Sequence, residues 1–248
     1  MIFAKPSELE KIDFSTYPPR NVVVAGATGL VGREIIKALQ ERPNATFTAL
    51  VRRPGALVDV SVRVREVEFD YSAPDCYSKI GTEIPCDVLL CALGTTIKHA
   101  GTPEAFRMVD IDYPTRLFDR LAQLPNKPMV GLVSSVGAEK PKGLYLKTKF
   151  DLEQRLIGSG LPHLIVRPSL LLGDRDEFRP SEWASKLFLL PYLSIIKALA
   201  PRSKFLWRFA PIEASKVAEA MVRICVDEPP LDSSRVLQGL VLHHPIMQ

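Results

Sequence analysis

The stretch Val22-Val-Val-Ala-Gly-Ala-Thr-Gly-Leu-Val-Gly32 joins a short apolar run to three glycines that are spaced three residues apart. The amphipathic segment Arg33-Glu-Ile-Ile-Lys-Ala-Leu-Gln40 follows at once and predicts a helix. A helix that begins in a glycine-rich turn offers free backbone N–H groups and the positive end of its dipole to an anion. The spacing therefore indicates a site for the phosphates of a dinucleotide, although the same glycines also suit a tight strand-to-helix turn without any nucleotide.

Each glycine of this turn has its own expected role. Gly26 allows the chain to turn tightly, Gly29 lets the backbone approach a pyrophosphate, and Gly32 lets the helix pack close to its strand. The turn residues expected to contact the cofactor are Gly26, Thr28, Gly29, Leu30, Val31 and Gly32.

Apolar runs and helical patterns alternate from residue 20 to residue 170. The predicted strands are Val22–Ala25, Thr46–Val51, Val62–Phe69, Val88–Ala92, Met129–Ser134 and His163–Arg167, and helical patterns cover residues 31–41, 103–124 and 148–159. This alternation predicts an α/β fold of Rossmann type, a doubly wound parallel sheet with helices on both faces and strand order 3-2-1-4-5-6. The third run alternates apolar and charged residues, which favours a place near the sheet edge.

Length and composition predict a single domain over residues 1–248, with 46% hydrophobic residues and a net charge of +4. Residues 1–20 are expected to form an N-terminal extension. Residues from about 170 to 212 are expected to form a small cap on the substrate side, at the carboxyl ends of the strands. A further helix, Ala214 to Val226, and a last strand, Arg235 to His243, complete the predicted domain.

Charge pattern and cysteine use narrow the function classes. No run of Lys and Arg indicates a nucleic-acid arm, and no apolar run reaches the roughly 18 residues of a membrane span. The first residues do not match a signal peptide. The four cysteines and four histidines show no metal-ligand spacing. We therefore expect no metal, reduced thiols and a cytoplasmic location.

The end of the second predicted strand indicates which dinucleotide is bound. NAD-preferring sites usually carry an acidic residue there for the ribose 2′-hydroxyl, whereas this strand ends in Arg52-Arg53. Because a guanidinium suits a 2′-phosphate, we expect NADPH rather than NAD, unless both arginines are merely solvated. Asp70 is expected either to accept a hydrogen bond from the adenine or to end its strand in a turn. The loop Ala92-Leu93-Gly94 is expected to pass close to the cofactor.

A serine, a tyrosine and a lysine follow the fifth predicted strand. Ser134-Ser135 ends that strand, and Tyr145-Leu-Lys-Thr-Lys149 places Tyr145 and Lys149 on one face if the segment is helical. A nearby ammonium lowers the pKa of a phenol, which is otherwise near 10 and too high for proton transfer at neutral pH. A serine hydroxyl can orient a carbonyl or hydroxyl substrate. With a nicotinamide beside them, these groups predict hydride transfer.

Together with Arg167-Pro168-Ser-Leu-Leu-Leu-Gly173, these motifs resemble the short-chain dehydrogenase/reductase superfamily over residues 20–170. The form of the motifs is similar to its atypical or extended branch, and to the Tat-interactive-protein-like NAD(P)H-binding subgroup. The resemblance implies that Tyr145 is the general acid/base and that Lys149 lowers the pKa of Tyr145 and binds the nicotinamide ribose. It further implies that Ser135, or alternatively Ser134, orients the substrate.

The same resemblance carries over two more positions. Pro168 is implied to pass near the nicotinamide carboxamide. The fourth catalytic position of the superfamily, usually Asn, aligns with Asp110 in Met108-Val-Asp-Ile111. This Asp departs from the family pattern: it can still hold a water, but the departure puts a proton relay through that position in doubt.

The sequence thus predicts an NADPH-dependent oxidoreductase that acts on a carbonyl or hydroxyl group of a small molecule. The alternatives are an NADPH-binding regulatory or partner-binding protein with little turnover, and an epimerase or isomerase that keeps its NAD(P) bound. No nucleic-acid partner is expected, and a homodimer is the candidate assembly. The aromatic and basic segment from Trp183 to Phe209 is interpreted as a lid or an interface, in preference to a membrane contact.

Overall fold

The computed structural model describes residues 19–61, 63–173, 208–228, 234–239 and 242. Its strands are β1 (Arg20–Ala25), β2 (Ala45–Val51), β3 (Arg65–Glu68), β4 (Val88–Cys91), β5 (Met129–Val133), β6 (His163–Arg167), β7 (Leu171–Leu172), β8 (Ile212–Glu213) and β9 (Arg235–Gln238). Its helices are α1 (Leu30–Gln40), α2 (Pro74–Ser78), α3 (Ile97–Ala100), α4 (Pro103–Arg107), α5 (Tyr113–Ala122), α6 (Gly143–Gly158) and α7 (Ala214–Val222), with π-helical turns at Met108–Asp112 and Arg223–Asp227.

Seven parallel strands form the central sheet in the order β3-β2-β1-β4-β5-β6-β9. This order confirms the predicted doubly wound Rossmann fold, with β3 at one edge and β9 added beyond the sixth predicted strand. The direction of winding reverses between β1 and β4. Ligands of open α/β sheets bind in the crevice outside the carboxyl ends of the strands at such a reversal. A ligand of this protein is therefore expected in the crevice between the ends of β1 and β4.

Both faces of the sheet are covered. In β1, Val22 and Val24 pack into a core with α1 and α7, whereas Val23 and Ala25 point to the opposite face and pack with α5 and α6. Successive side chains of a strand alternate between faces, so a strand buried on both sides must be apolar throughout. This is why the apolar runs of the sequence located the strands so well.

The predicted helix over 103–124 is divided, and this is a correction. The chain forms α4, then a π-helical turn in which the Tyr113 N–H donates to the Met108 carbonyl, then α5. Pro114 explains the break, because proline has no N–H to donate to the carbonyl of Asp110 in a regular α-helix.

Other boundaries differ in smaller ways. The helix predicted over 148–159 begins earlier, at Gly143, and the third strand begins at Arg65 instead of Val62, a position outside the described residues. The last strand, predicted to reach His243, spans Arg235–Gln238. Residues 1–18 of the predicted extension and 174–207 of the predicted cap also lie outside the described part of the chain, so both stay predictions.

The glycine turn between β1 and α1 is packed too closely for side chains. A Cβ on Gly26 would lie 2.6 Å from the carbonyl carbon of Ala92, and Gly26 has a φ of +80°, which favours glycine. A Cβ on Gly32 would overlap the carbonyl oxygen of Gly26. The predicted roles of these two glycines, a tight turn and a close approach of helix to strand, agree with this packing.

Gly32→Ala tests the contact between α1 and β1. We expect it to lower the free energy of unfolding by about 1–3 kcal/mol, because the new methyl group can be accommodated only if backbone moves. Thermal and urea denaturation measure the change. Gly158→Ala, in α6 with nothing within 4 Å of the added Cβ, is the matched control and should be neutral or stabilising by up to about 1 kcal/mol. Equal stability of the two variants would contradict this account.

Candidate nucleotide-binding and catalytic site

The turn from β1 to α1 leaves the start of the helix open. The Gly29 N–H donates to the Gly26 carbonyl at 3.1 Å, and Gly29 caps α1 in an extended conformation without a side-chain hydrogen bond to the first turn. Thr28 and Gly29 are exposed, whereas Val31 and Gly32 are buried. The exposed side of this turn therefore presents uncapped N–H groups, which is the arrangement that a pyrophosphate requires.

The loop after β4 lies directly against this turn. The Ala92 N–H donates to the Ala25 carbonyl at 2.8 Å, and the backbone of Ala92 and Leu93 occupies the space where Gly26 would carry a side chain. The predicted cofactor residues of the glycine turn and of Ala92-Leu93-Gly94 are thus neighbours at the reversal point of the sheet.

The end of β2 carries the two arginines. Arg52 and Arg53 are exposed, and neither side chain bonds to another described residue. Asp70, just after β3, accepts hydrogen bonds from the backbone N–H and the Oγ of Ser72, at 2.9 and 2.6 Å. These bonds lower the pKa of Asp70 and match its interpretation as a turn residue. Its contact with adenine stays a prediction.

A buried ion pair lies at the centre of the site. The Nζ of Lys149, on α6, lies 2.9 Å from Oδ1 of Asp110, in the π-helical turn, and Oδ2 of Asp110 accepts the Thr95 N–H at 2.8 Å. Asp110 is 0% exposed and Lys149 5%. A Cβ on Gly94 would lie 3.3 Å from Asp110 Oδ1 and 3.5 Å from Lys149 Nζ. The pair therefore sits directly beneath the loop predicted to meet the cofactor.

Lys149 keeps its charge in this setting. Burial lowers the pKa of an ammonium, but the Asp110 carboxylate outweighs burial and raises the pKa of Lys149 above its ordinary value of 10.5. Asp110 stands where the family pattern usually has Asn. The structure gives Asp110 a different task, because it contacts the lysine directly and fixes its charge and position.

Tyr145 lies on α6 one turn before Lys149, as the spacing predicts. The Nζ of Lys149 is 5.9 Å from the centroid of the Tyr145 ring, and the Phe106 ring lies 6.3 Å from it, centroid to centroid. Tyr145 is 42% exposed. A charged lysine thus lies near the ring of a phenol that is itself partly exposed.

The two serines after β5 are distinguished by their surroundings. Ser134 is buried and donates to the Glu153 carboxylate, whereas Ser135 is half-buried and its Oγ makes a long 3.4 Å contact to the Val136 carbonyl. The loop that carries Ser135 packs on α6, since a Cβ on Gly137 would lie 3.3 Å from Leu146. Of the two hydroxyls, that of Ser135 is the more exposed and has no carboxylate partner among the described residues.

The partner of Ser134 belongs to a charged network that sequence reasoning missed. Glu153 is fully buried and accepts two bonds from Arg167, at 2.9 and 2.6 Å. Arg167 also pairs with Glu139, which in turn contacts Arg208. A bidentate arginine can satisfy a buried carboxylate. The signal in the sequence was a lone Glu153 on the inner face of a helix, which by itself names no partner.

Pro168 follows β6 beside the Ser135 loop. It is buried, and its carbonyl accepts the Val136 N–H at 2.9 Å, while the Ser134 N–H donates to the Val166 carbonyl at 2.7 Å. The ends of β5 and β6 therefore run side by side. The predicted approach of Pro168 to the nicotinamide stays a prediction.

A family model described as NAD(P)H-binding matches residues 26–181, which include the glycine turn, Tyr145 and Lys149. The chain belongs to the NAD(P)H-binding family. Protein HTATIP2 of Rattus norvegicus is 31% identical to this member over 173 residues, 68% of this chain and 70% of that protein. The resemblance inferred from the motifs, to an atypical branch of the short-chain dehydrogenases and reductases, is thereby confirmed.

Fungal relatives of this family member correct the predicted location. Protein FMP52, mitochondrial, of Candida albicans is 36% identical over 161 residues, 62% of this chain and 68% of that protein, and the Saccharomyces cerevisiae protein of the same name is 32% identical over 171 residues, 67% of this chain and 72% of that protein. Both are named as mitochondrial. These names contradict the cytoplasmic prediction. That prediction rested on reduced thiols, which occur in more than one compartment and so cannot distinguish one compartment from another.

Solved structures agree with the fold. UDP-glucose 4-epimerase of Thermus thermophilus, in complex with NAD, matches with a TM-score of 0.66 at 16% identity, over 88% of this chain and 77% of the enzyme. The Campylobacter jejuni UDP-Glc/GlcNAc 4-epimerase matches with a TM-score of 0.66 at 13% identity, over 91% of this chain and 81% of that one. At such low identity, the likeness shows a shared Rossmann fold.

Two absences hold for the described ranges alone. None of the helices in these ranges combines the length and the apolar character needed to cross a bilayer. Nor do three or more His, Cys, Asp or Glu side chains gather there in a way that could hold a metal ion.

Asp110→Asn tests the ion pair. It leaves the buried ammonium of Lys149 without a counter-charge, so we expect the free energy of unfolding at neutral pH to fall by about 3 kcal/mol. Urea denaturation measures the loss. The double variant Asp110→Asn/Lys149→Met removes both charges and should recover most of it, because a buried pair can be replaced by neutral groups at little cost.

The effect of pH has a definite sign. Since the pKa of folded Lys149 is raised above 10.5, the stability that the pair contributes is fully present below that value and is lost as the pH rises through the folded pKa. A double variant no more stable than Asp110→Asn would show that the pair does not act as described.

Proposed function

We propose that this chain is an NADPH-dependent oxidoreductase that transfers hydride to or from a carbonyl or hydroxyl group. The observation that carries the proposal is the Asp110–Lys149 pair, which holds an ammonium beside Tyr145 and beneath Gly94. A buried charge of this kind has a high desolvation cost. Its position, next to an exposed phenol at the reversal point of the sheet, fits a catalytic use better than a purely structural one.

The described residues fit a dinucleotide. The uncapped start of α1 suits the pyrophosphate, and the absence of a side chain at Gly94 leaves the backbone accessible beside Lys149. Arg52 and Arg53 are exposed and unbonded within the described ranges, so their guanidinium groups are available for a 2′-phosphate. Bound there, NADPH would supply the hydride.

In the direction of reduction, Tyr145 gives its phenolic proton to the carbonyl oxygen as the carbonyl carbon accepts hydride. Lys149 stabilises the phenolate that remains, and Asp110 keeps Lys149 charged and oriented. The Ser135 hydroxyl donates to the same carbonyl oxygen and orients it. In the direction of oxidation, the phenolate takes the hydroxyl proton of the alcohol, whose carbon would give its hydride to bound NADP, and the other roles are unchanged.

Tyr145→Phe and Lys149→Ala test the chemistry. We expect each to lower kcat by roughly 10²- to 10⁴-fold, the usual contribution of general acid/base catalysis. The assay follows NADPH consumption over a panel of carbonyl substrates, and NADP reduction over a panel of alcohols. Lys147→Ala is the matched control, because Lys147 lies on the same helix, is exposed and pairs with Asp151. It should leave kcat unchanged.

The outcome also separates the alternatives. Full activity in both variants would contradict the assigned roles of Tyr145 and Lys149. Tight NADPH binding without turnover on any substrate would favour a regulatory or partner-binding protein. Substrate conversion without net consumption of the cofactor would favour an epimerase or isomerase.

A mitochondrial location is supported by the names of the fungal relatives. We expect the full chain, expressed with a C-terminal tag in yeast, to be recovered in the mitochondrial fraction. Cell fractionation with a cytosolic marker protein as control checks this. Recovery with the cytosolic marker would contradict the proposed location.

A further inference from the structure

The turn after β2 is tied to the neighbouring strand by one carboxylate. Oε2 of Glu66, on β3, accepts the N–H groups of Gly55 and Ala56 at 2.8 and 3.1 Å, and Oε1 accepts the Leu57 N–H at 3.0 Å. Three consecutive backbone donors thus converge on one side chain. Gly55 has a φ of +90°, which glycine adopts readily and which brings these N–H groups together.

The same turn is also tied to the glycine motif. Arg33, the residue after Gly32, donates to the Ala56 carbonyl at 3.3 Å and pairs with Asp59. Leu57 is fully buried in the core that contains α1. The backbone from Gly55 to Leu57 is therefore held from β3, from α1 and from the core.

In contrast to the backbone of this turn, the two side chains just before it are not held by other residues of the described chain. Arg52 and Arg53 are exposed and bond to no other described residue. The chain thus holds a backbone in place at three points and leaves the two adjacent guanidinium groups for something else. Holding the backbone reduces the conformational entropy that a ligand would otherwise have to remove when it binds these groups.

We infer that Glu66 is a positioning residue for cofactor choice: through the N–H groups of residues 55–57, it holds Arg52 and Arg53 where the 2′-phosphate of NADPH binds. This rests on the proposed NADPH preference. Glu66 does not contact the cofactor in this account. Its effect is transmitted by the backbone of the turn to Arg52 and Arg53. Loss of Glu66 should therefore weaken the binding of NADPH and hardly change that of NADH, which has no 2′-phosphate.

Electrostatics gives the test a sign. A carboxylate near a 2′-phosphate repels it, so the loss of this charge alone would tighten NADPH binding. The loss of the three hydrogen bonds releases the turn and would weaken NADPH binding. The two explanations of any effect at Glu66 therefore predict changes in opposite directions.

Glu66→Gln and Glu66→Ala are the test variants, and dissociation constants for NADPH and NADH are measured by calorimetry on the full chain. We expect the dissociation constant for NADPH to rise about tenfold in Glu66→Ala and somewhat less in Glu66→Gln. A tenfold rise is about the loss of affinity expected when one charge-assisted hydrogen bond is misplaced. The NADH constant should change less than about twofold, so the preference for NADPH falls. Thermal denaturation checks that each variant is folded. If Glu66→Ala does not fold, the result for Glu66→Gln alone decides the test.

Glu68→Gln is the matched control. Glu68 lies two residues from Glu66 on the same strand and the same side, and its carboxylate accepts no hydrogen bond within the described ranges. It removes one negative charge without releasing the turn. We expect it to leave NADPH binding unchanged or slightly tighter.

Arg52→Ala and Arg53→Ala separate this inference from the proposed function. If they weaken NADPH binding while the Glu66 variants do not, the inference is wrong and the NADPH proposal stands. Tighter NADPH binding in Glu66→Gln would equally overturn it. If the wild-type chain binds NADH as tightly as NADPH, both fail together. No substrate turnover is needed, so a failure of the Tyr145 chemistry would not be mistaken for either result.

Discussion

The close contact of α1 with β1 is the constraint on which the rest of the site depends. At Gly32 the helix leaves no space for a methyl group above the carbonyl of Gly26, and at Gly26 the turn meets the backbone of Ala92. One helix, two strands and the loop after β4 are thereby brought to a common point. Because the contact is between backbones, it fixes where the N–H groups of the turn lie.

Buried charge forms a second layer around that point. The Asp110–Lys149 and Glu153–Arg167 pairs both lie at the carboxyl end of the sheet, and each includes a fully buried carboxylate. Such pairs add little net stability compared with apolar residues of the same size. They do fix geometry. Lys149 is held beside Tyr145, and the Ser134 hydroxyl is held against Glu153, so each pair fixes the position of a neighbouring side chain.

Periodicity and glycine spacing were enough to predict the sheet order and the tight turn between β1 and α1. The apolar runs are buried on both faces, so each strand is recognisable without its neighbours. The pairing of Tyr145 with Lys149 was also predictable, because it depends on the pitch of one helix. Asp110 was not, since its contact with Lys149 joins residues 39 positions apart through a π-helical turn that Pro114 imposes. Contacts of Glu66 and Glu153 were missed for the same reason, as their partners lie on other elements.

The short pair of strands β7 and β8 has a wider consequence. Leu171 and Leu172 pair with Ile212 and Glu213, and Ser169 also reaches the Ala210 carbonyl. The chain just before residue 174 and the chain just before α7 are therefore fastened to each other, in a two-stranded sheet separate from the central one. A stretch of chain whose two ends are fastened together can change in length and composition without changing the register of the central sheet. In such an architecture, selection can alter the sequence between the two fastened ends while the central sheet and its glycine turn stay unchanged.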